Sequence, residues 1–399
     1  MADSPTLRSL GPTVYLPTLL FAVGQGAVLP VVALSAVDLG ASVAGAGAVV
    51  AVQGVGRMVF NIPAGRLIDV MGERRAMAVG TAILGASLVG CVVSPSPWWF
   101  AVCLFAMGCG WSVWLLARLT YVSEVMPAHL RGRALSTLGG VNRIGTFVGP
   151  FLGAAAVSAV GLDGAYHVHL VLAALGWVVL AAVADPHHRS RPPGPAPTRL
   201  AGVARQHRRV LLTVGSGAAV LGLLRAARHA VLPLWGDHIG LDPAAISLVF
   251  GLSAAMDMTL FYPAGAASDR LGRRAVAVPC LAVLAIGFLL LPTTGGFGPL
   301  VAVGVLMGFG NGIGSGIVMT LGADLAPEGA RAAFLGLWRT VSDVGAVGGP
   351  VVAGVVAGLA GLGAASVAVG AIGLAGAGVF AATLPRGRAV GLAGARKGP

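Results

Sequence analysis

Apolar runs of about 20 residues, separated by short polar breaks, recur from one end of the chain to the other. A helix of that length crosses a ~30 Å hydrocarbon layer and satisfies its own backbone hydrogen bonds, which lipid cannot do for it. Read between polar breaks, the runs predict twelve spans starting near residues 12, 43, 76, 97, 132, 164, 209, 243, 274, 297, 331 and 361. The expected fold is therefore all-α, a polytopic membrane protein of twelve transmembrane helices. Transmembrane β-barrels are excluded by the length of the runs. One connection is long, rich in Pro, Arg and His, and it divides the chain into a six-helix half over residues 1–184, a linker over 185–209 and a second six-helix half over 210–399. The linker's His187 and His188 read as solvated decoration with no second ligand cluster.

The two halves repeat each other. PAGRLIDVMGERR from Pro63 matches PAGAASDRLGRRA from Pro263, an offset of 200 residues. The same offset pairs Gly108 with Gly308, Gly110 with Gly310, Glu124 with Asp324, Pro127 with Pro327, and Gly149-Pro150 with Gly349-Pro350. One register kept over so many positions implies pseudo-symmetric halves.

Composition sharpens the picture. The chain of 399 residues is 56% hydrophobic and 10% charged, far from the roughly 25% charged residues of a soluble domain. Its net charge of +12 is topological: with both termini cytoplasmic, twenty of the 26 basic residues fall in inner segments, and outer loops carry Asp38, Asp163, Asp237 and Asp242. No basic patch interleaved with aromatics suggests nucleic acid. The first apolar run lacks a cleavage pattern and should itself direct insertion. Cys91, Cys103, Cys109 and Cys280 lie inside apolar runs with no metal-ligand spacing, so they read as packing residues, and no cofactor is implied. Abundant Ala, Gly and Val with one lysine hint at a GC-rich bacterial genome.

The chain resembles the major facilitator superfamily over all twelve spans and the central loop. The carrying motif lies between spans two and three: Gly, three residues, Asp-Arg, one residue, Gly-Arg-Arg. The second copy, Gly265, Asp269, Arg270, Gly272, Arg273 and Arg274, fits completely. The first keeps Gly65, Asp69, Gly72, Arg74 and Arg75 but has Val70 for the arginine and acidic Glu73. A motif glycine would let helices approach, and an aspartate at a helix end can accept from another helix's exposed amides. The resemblance implies that Asp69 meets the start of span eleven and Asp269 the start of span five, with Glu124 and Asp324 as acidic partners of the loop arginines; ordinary topogenic charge is the alternative. GTFVGPFLGA (with Gly145, Gly149, Pro150) and GAVGGPVVAG (with Gly345, Gly349, Pro350) are similar to the glycine-proline motif of the superfamily's drug:proton antiporters. GQGAVLPVV, from Gly24 in span one, is a weaker echo, and the family's arginine early in span four is missing near Phe105 and Ala106.

Eight ionisable groups remain inside the spans: Arg57, Arg118, Arg143, Arg225, Arg228, Arg339, Asp257 and Asp343. Each costs roughly 2.5 to 3.5 kcal/mol on insertion scales, so they imply partners or a wet cavity. The offset aligns Arg57 with Asp257 and Arg143 with Asp343, and the family fold implies interhalf pairs Arg57 with Asp343 and Arg143 with Asp257. Such pairs either couple protonation to rocking or act as static staples, and Arg339 could instead satisfy Asp343 one helical turn away. The surplus of arginines favours anionic substrates. Arg225, Arg228 and His229 either line the cavity or snorkel to the outer interface. Trp111, Trp114 and Tyr121 join Arg118 on span four as walls for an amphiphilic ligand, and Gln25 is a further candidate contact.

These readings predict a monomeric transporter in the cell membrane whose partners are a small-molecule substrate, protons and the lipid bilayer. Proton-coupled efflux of drugs or amphipathic metabolites leads, and proton-linked uptake of an organic anion is the alternative. An enzyme is disfavoured because no HExxH helix, GxSxG elbow or Walker loop is present.

Overall fold

A computed structural model describes residues 10–182, 200–327 and 330–385. The histidine pair of the linker and the basic residues at 8, 189–199 and 386–397 lie outside them. Among the described residues every regular element is a helix.

Spans two to six are Val43–Met71, Glu73–Val92, Pro97–Val125, Ala128–Val160 and Asp163–Ala182. Spans seven to nine are Val214–His238, Pro243–Leu271 and Arg274–Leu290. Among the described residues ten helical segments are long and apolar enough to cross a membrane, Phe297–Leu325 counted as one of them. Span one is a bent pair, Gly11–Val28 and Val32–Asp38, whose axes differ by 44°. Span ten is in two pieces, Phe297–Ile313 and Ile317–Leu325. The 53-residue helix Arg331–Thr383 turns at Gly361, where φ is 89°, and so holds spans eleven and twelve. Counted this way the spans are the twelve expected, with spans three and five entering a few residues earlier than the apolar runs suggest.

Among the described residues two compact units result, one of 10–182 with 242–251, the other of 200–241 with 252–385. Spans two and eight begin alike: Ser42 Oγ accepts from the Gly45 amide at 3.1 Å, and Asp242 Oδ1 from the Ala245 amide at 2.9 Å. Each takes up a first-turn donor that has no partner within its helix.

The 200-residue repeat is also a repeat of backbone shape. Positive φ occurs at Gly40 and Gly240, Gly72 and Gly272, Gly161 and Gly361, and at one further glycine, Gly316. Side chains with a Cβ are strained there, so glycine at these turns is a conformational demand. Packing within each half repeats too. A Cβ on Gly108 would run into the Gln53 carbonyl, and one on Gly308 into the carbonyl of Ser253, 200 residues on. Gly149 and Gly349 of the glycine-proline stretches lie in the same way against the Val23 and Leu223 carbonyls. Spans five and eleven therefore seat backbone on backbone against spans one and seven of their own half.

Candidate functional site

In the N-terminal half Arg118 is buried, 5% exposed. Its guanidinium lies 4.2 Å over the Trp114 ring, a cation–π contact. Its Nη1 donates to Thr18 Oγ1 at 3.2 Å, and that hydroxyl donates to the Val14 carbonyl at 2.6 Å. Phe21 stacks on Trp114 at 4.1 Å and meets Trp111 at 4.9 Å. The structure thus brings Trp111, Trp114 and Arg118 together against span one. Tyr121 packs one turn on in a cluster with Leu10, Val14, Met126 and Leu138, which adjoins the Arg118 site through Val14. Gln25, Arg57 and Arg143 are half-buried, with the Arg57 amide close to Gly108.

Sequence reading missed His169. It is 1% exposed, edge-on to Phe21 at 5.5 Å, and both ring nitrogens are buried without a hydrogen bond. The signal was present in Gly24 of the span-one motif, because a Cβ there would collide with the His169 ring. An open groove lined by Arg74, Arg75 and Trp177 does not include Arg118 in its lining.

In the C-terminal half span seven supplies two arginines and span eleven a third, Arg339. Arg225 and Arg228 sit near the middle of Val214–His238, so the snorkelling alternative, which needed them late in the span, does not fit. Arg225 Nη2 donates to the Gly314 carbonyl at 3.0 Å, where span ten is interrupted. Arg228 Nη1 donates to Ser253 Oγ at 3.3 Å and lies within electrostatic reach of Asp257. Cys280 of span nine packs beside Arg225 and leaves no room for a Cβ on Gly314. Asn311 Oδ1 and the Nε atoms of both arginines are buried with no hydrogen bond. The local alternative for Asp343 is observed as a loose contact, Arg339 Nε at 3.8 Å from its Oδ2.

The two loop motifs differ. Arg273 donates to Asp269 Oδ1 at 2.7 Å, to Ser268 Oγ at 2.9 Å and to Asp324 Oδ2 at 2.9 Å. Asp324 is thus a partner of a loop arginine, as the resemblance implied. Partial burial pulls the Arg273 guanidinium pKa down, but hydrogen bonds and charge from the two carboxylates outweigh it, and the net direction is up. The first copy has Glu73 at the position equivalent to Arg273; the next arginine behaves alike in both copies, Arg74 donating to the Leu180 carbonyl near the end of span six and Arg274 to the Leu384 carbonyl just past span twelve. Val70 is 86% exposed. The motif glycines expected to let helices approach do not do so: a Cβ on Gly65 meets one side-chain atom at 3.9 Å, and one on Gly265 meets nothing within 4 Å. The glycines with a backbone reason are Gly72 and Gly272, whose φ of 81° and 91° turn the chain out of spans two and eight.

Comparison with known proteins agrees with this architecture. An uncharacterized MFS-type transporter of Mycobacterium tuberculosis is 28% identical over 32% of this chain, an alignment spanning only 22% of that relative's length. The multidrug resistance protein MdtH of Klebsiella pneumoniae is 26% identical over 83% of both chains. A POT family transporter solved in complex with 5-aminolevulinic acid superposes with a TM-score of 0.76 over 95% of this chain and 96% of its own, at 12% identity, a likeness of fold. Residues 14–227 and 214–398 each match the Major Facilitator Superfamily, which together take in nearly all of the chain. Two matched halves, twelve spans and one repeated backbone place this chain in the major facilitator superfamily, as a multi-pass membrane transporter and not an enzyme.

Proposed function

We propose that the chain is a monomeric, proton-coupled exporter of drugs or amphipathic metabolites, anionic ones included, in a bacterial cell membrane with both termini cytoplasmic. The observation that carries this reading is the pair of glycine-proline stretches, each seated on the first span of its half. The name of the MdtH relative, a multidrug resistance protein, supports the same direction. In this reading Asp257 and Asp343, the mid-span carboxylates, take up and release the proton. Gln25, Arg57, Trp111, Trp114, Arg118, Tyr121, Arg143, Arg225, Arg228, His229 and Arg339 supply the contacts to substrate. The loop motifs serve as gates, with the second, held by Arg273 between two carboxylates, the stronger.

Proton-linked uptake of an organic anion is the second reading, favoured by the arginines that outnumber carboxylates in the spans. A pH jump on proteoliposomes separates the two. Opposed proton and substrate fluxes support export, and parallel fluxes support uptake.

A further inference from the structure

Span ten is interrupted at Gly314-Ser315-Gly316. Among the described residues Gly316, with φ of 76°, is the one positive-φ glycine lacking a counterpart 200 residues away; Leu116 stands there, inside an unbroken helix. The repeat alone therefore does not account for the break. The Gly314 carbonyl at its edge accepts from the Ile317 amide at 3.2 Å and from Arg225 Nη2 at 3.0 Å. The second piece, Ile317–Leu325, starts without a side-chain cap. Arg228, one helical turn from Arg225, and Asn311 add buried polar atoms that have no hydrogen bond.

We propose that Arg225 is shared between two acceptors, the Gly314 carbonyl at the break and the acid group of a transported carboxylate or sulfonate, so that binding the anion frees the break. The inference rests on the exporter reading and names the part of the protein that meets the substrate's charge. A carboxylate is a stronger acceptor than an amide carbonyl, and hydrogen bonds to it are shorter and roughly twice as strong. It would draw Arg225 away and engage the Nε of Arg228, which has no hydrogen bond. Gly314 would then keep its bond from Ile317, and glycines on both sides allow the backbone to readjust. Discontinuous membrane helices commonly mark such sites, because their freed backbone groups are available to ligands.

The test is hydrogen exchange, read by mass spectrometry on the intact purified chain, with sodium benzoate or benzamide at equal concentration. Benzoate should accelerate exchange across residues 312–320, and benzamide should leave it unchanged. Arg225→Gln should exchange fast there without ligand and should weaken benzoate binding by at least about tenfold, while Arg225→Lys retains part of it. An equal response to both compounds in the wild-type chain would overturn the proposal, and that comparison needs no variant to fold. Ethidium extrusion after a pH jump, in proteoliposomes of the same protein, tests the exporter reading separately. Ethidium flux opposed to protons, with no benzoate effect on 312–320, sinks the shared-arginine proposal and leaves export standing. A benzoate effect without ethidium or proton flux supports the anion site and removes the exporter reading.

Discussion

Spans four and ten hold the same place in their halves, and the difference between them lies in what fills the space beside the backbone. Positions 111, 114 and 118 are Trp, Trp and Arg in span four; their counterparts 311, 314 and 318 are Asn, Gly and Val in span ten. Span four is a continuous helix whose Trp114 is packed on Phe21 and capped by Arg118. Span ten is broken, and an indole from elsewhere steadies its second piece: Trp338 of span eleven donates to the Val318 carbonyl at 2.8 Å and packs on Gly322. The cation has changed helix as well. Arg118 belongs to span four, whereas Arg225 and Arg228 belong to span seven, at positions that are Gln25 and Val28 in span one. A duplicated backbone has kept its helix contacts while its polar groups have moved.

The sharpest test of this asymmetry concerns carboxylates, since both mid-span acids are in the C-terminal half. The Asp257→Asn, Asp343→Asn double variant should lose pH-gradient-driven transport down to the level of empty liposomes. Full coupling in that variant would move proton uptake elsewhere, with the N-terminal half's His169 the next group to change. Next in size, Trp114→Ala should destabilise the chain by about 3–5 kcal/mol, because a fully buried aromatic and the stack beneath Arg118 are lost. Thermal unfolding in detergent measures it, and a loss below about 1 kcal/mol would mean that span four is no better packed than span ten. Gly316→Ala should cost about 1–2 kcal/mol through the left-handed backbone, while Leu116→Ala, at the matching place in span four, carries no such strain. A thermal shift near zero for Gly316→Ala would count against a left-handed glycine at the break. Smallest in stability is the loop motif, where exposed ion pairs contribute about 0–1 kcal/mol. There Asp269→Asn should slow transport several-fold, and Asp69→Asn by less, at matched expression. Equal losses would make the two gates equivalent despite Arg273 and Glu73.

Much of the fold was legible because length and hydropathy define membrane helices, and because a repeat in sequence reports a repeat in backbone. The offset found from Pro63 and Pro263 recurs in three pairs of turn glycines and in the carbonyls that Gly108 and Gly308 approach. The site was less legible. Asn311, Gly314 and His169 sit in apolar runs as isolated polar or small residues, and only packing reveals the buried side-chain atoms of Asn311 and His169 and the Arg225 bond to Gly314. The break in span ten was hidden for another reason: GNGIGSG is ordinary in a chain with 62 glycines, and which glycine takes positive φ depends on tertiary contacts. The motif glycines misled because a motif marks a place without stating its geometry. At Gly65 and Gly265 there is space, and the conformational demand falls seven residues later.

The seams made by Gly108, Gly149 and their counterparts carry one more implication. A joint between two helices that contains no side chain has no rotamers to exchange, so it cannot adjust by small local rearrangements. It behaves as a key in a keyway, holding or failing as a unit. Bulk at any of these four positions should be tolerated nowhere in a saturation library, whereas the facing polar positions should accept many residues. That division would let one ancestral half be copied, joined to itself and then specialised side by side, with the joinery inherited intact and the lining left to drift.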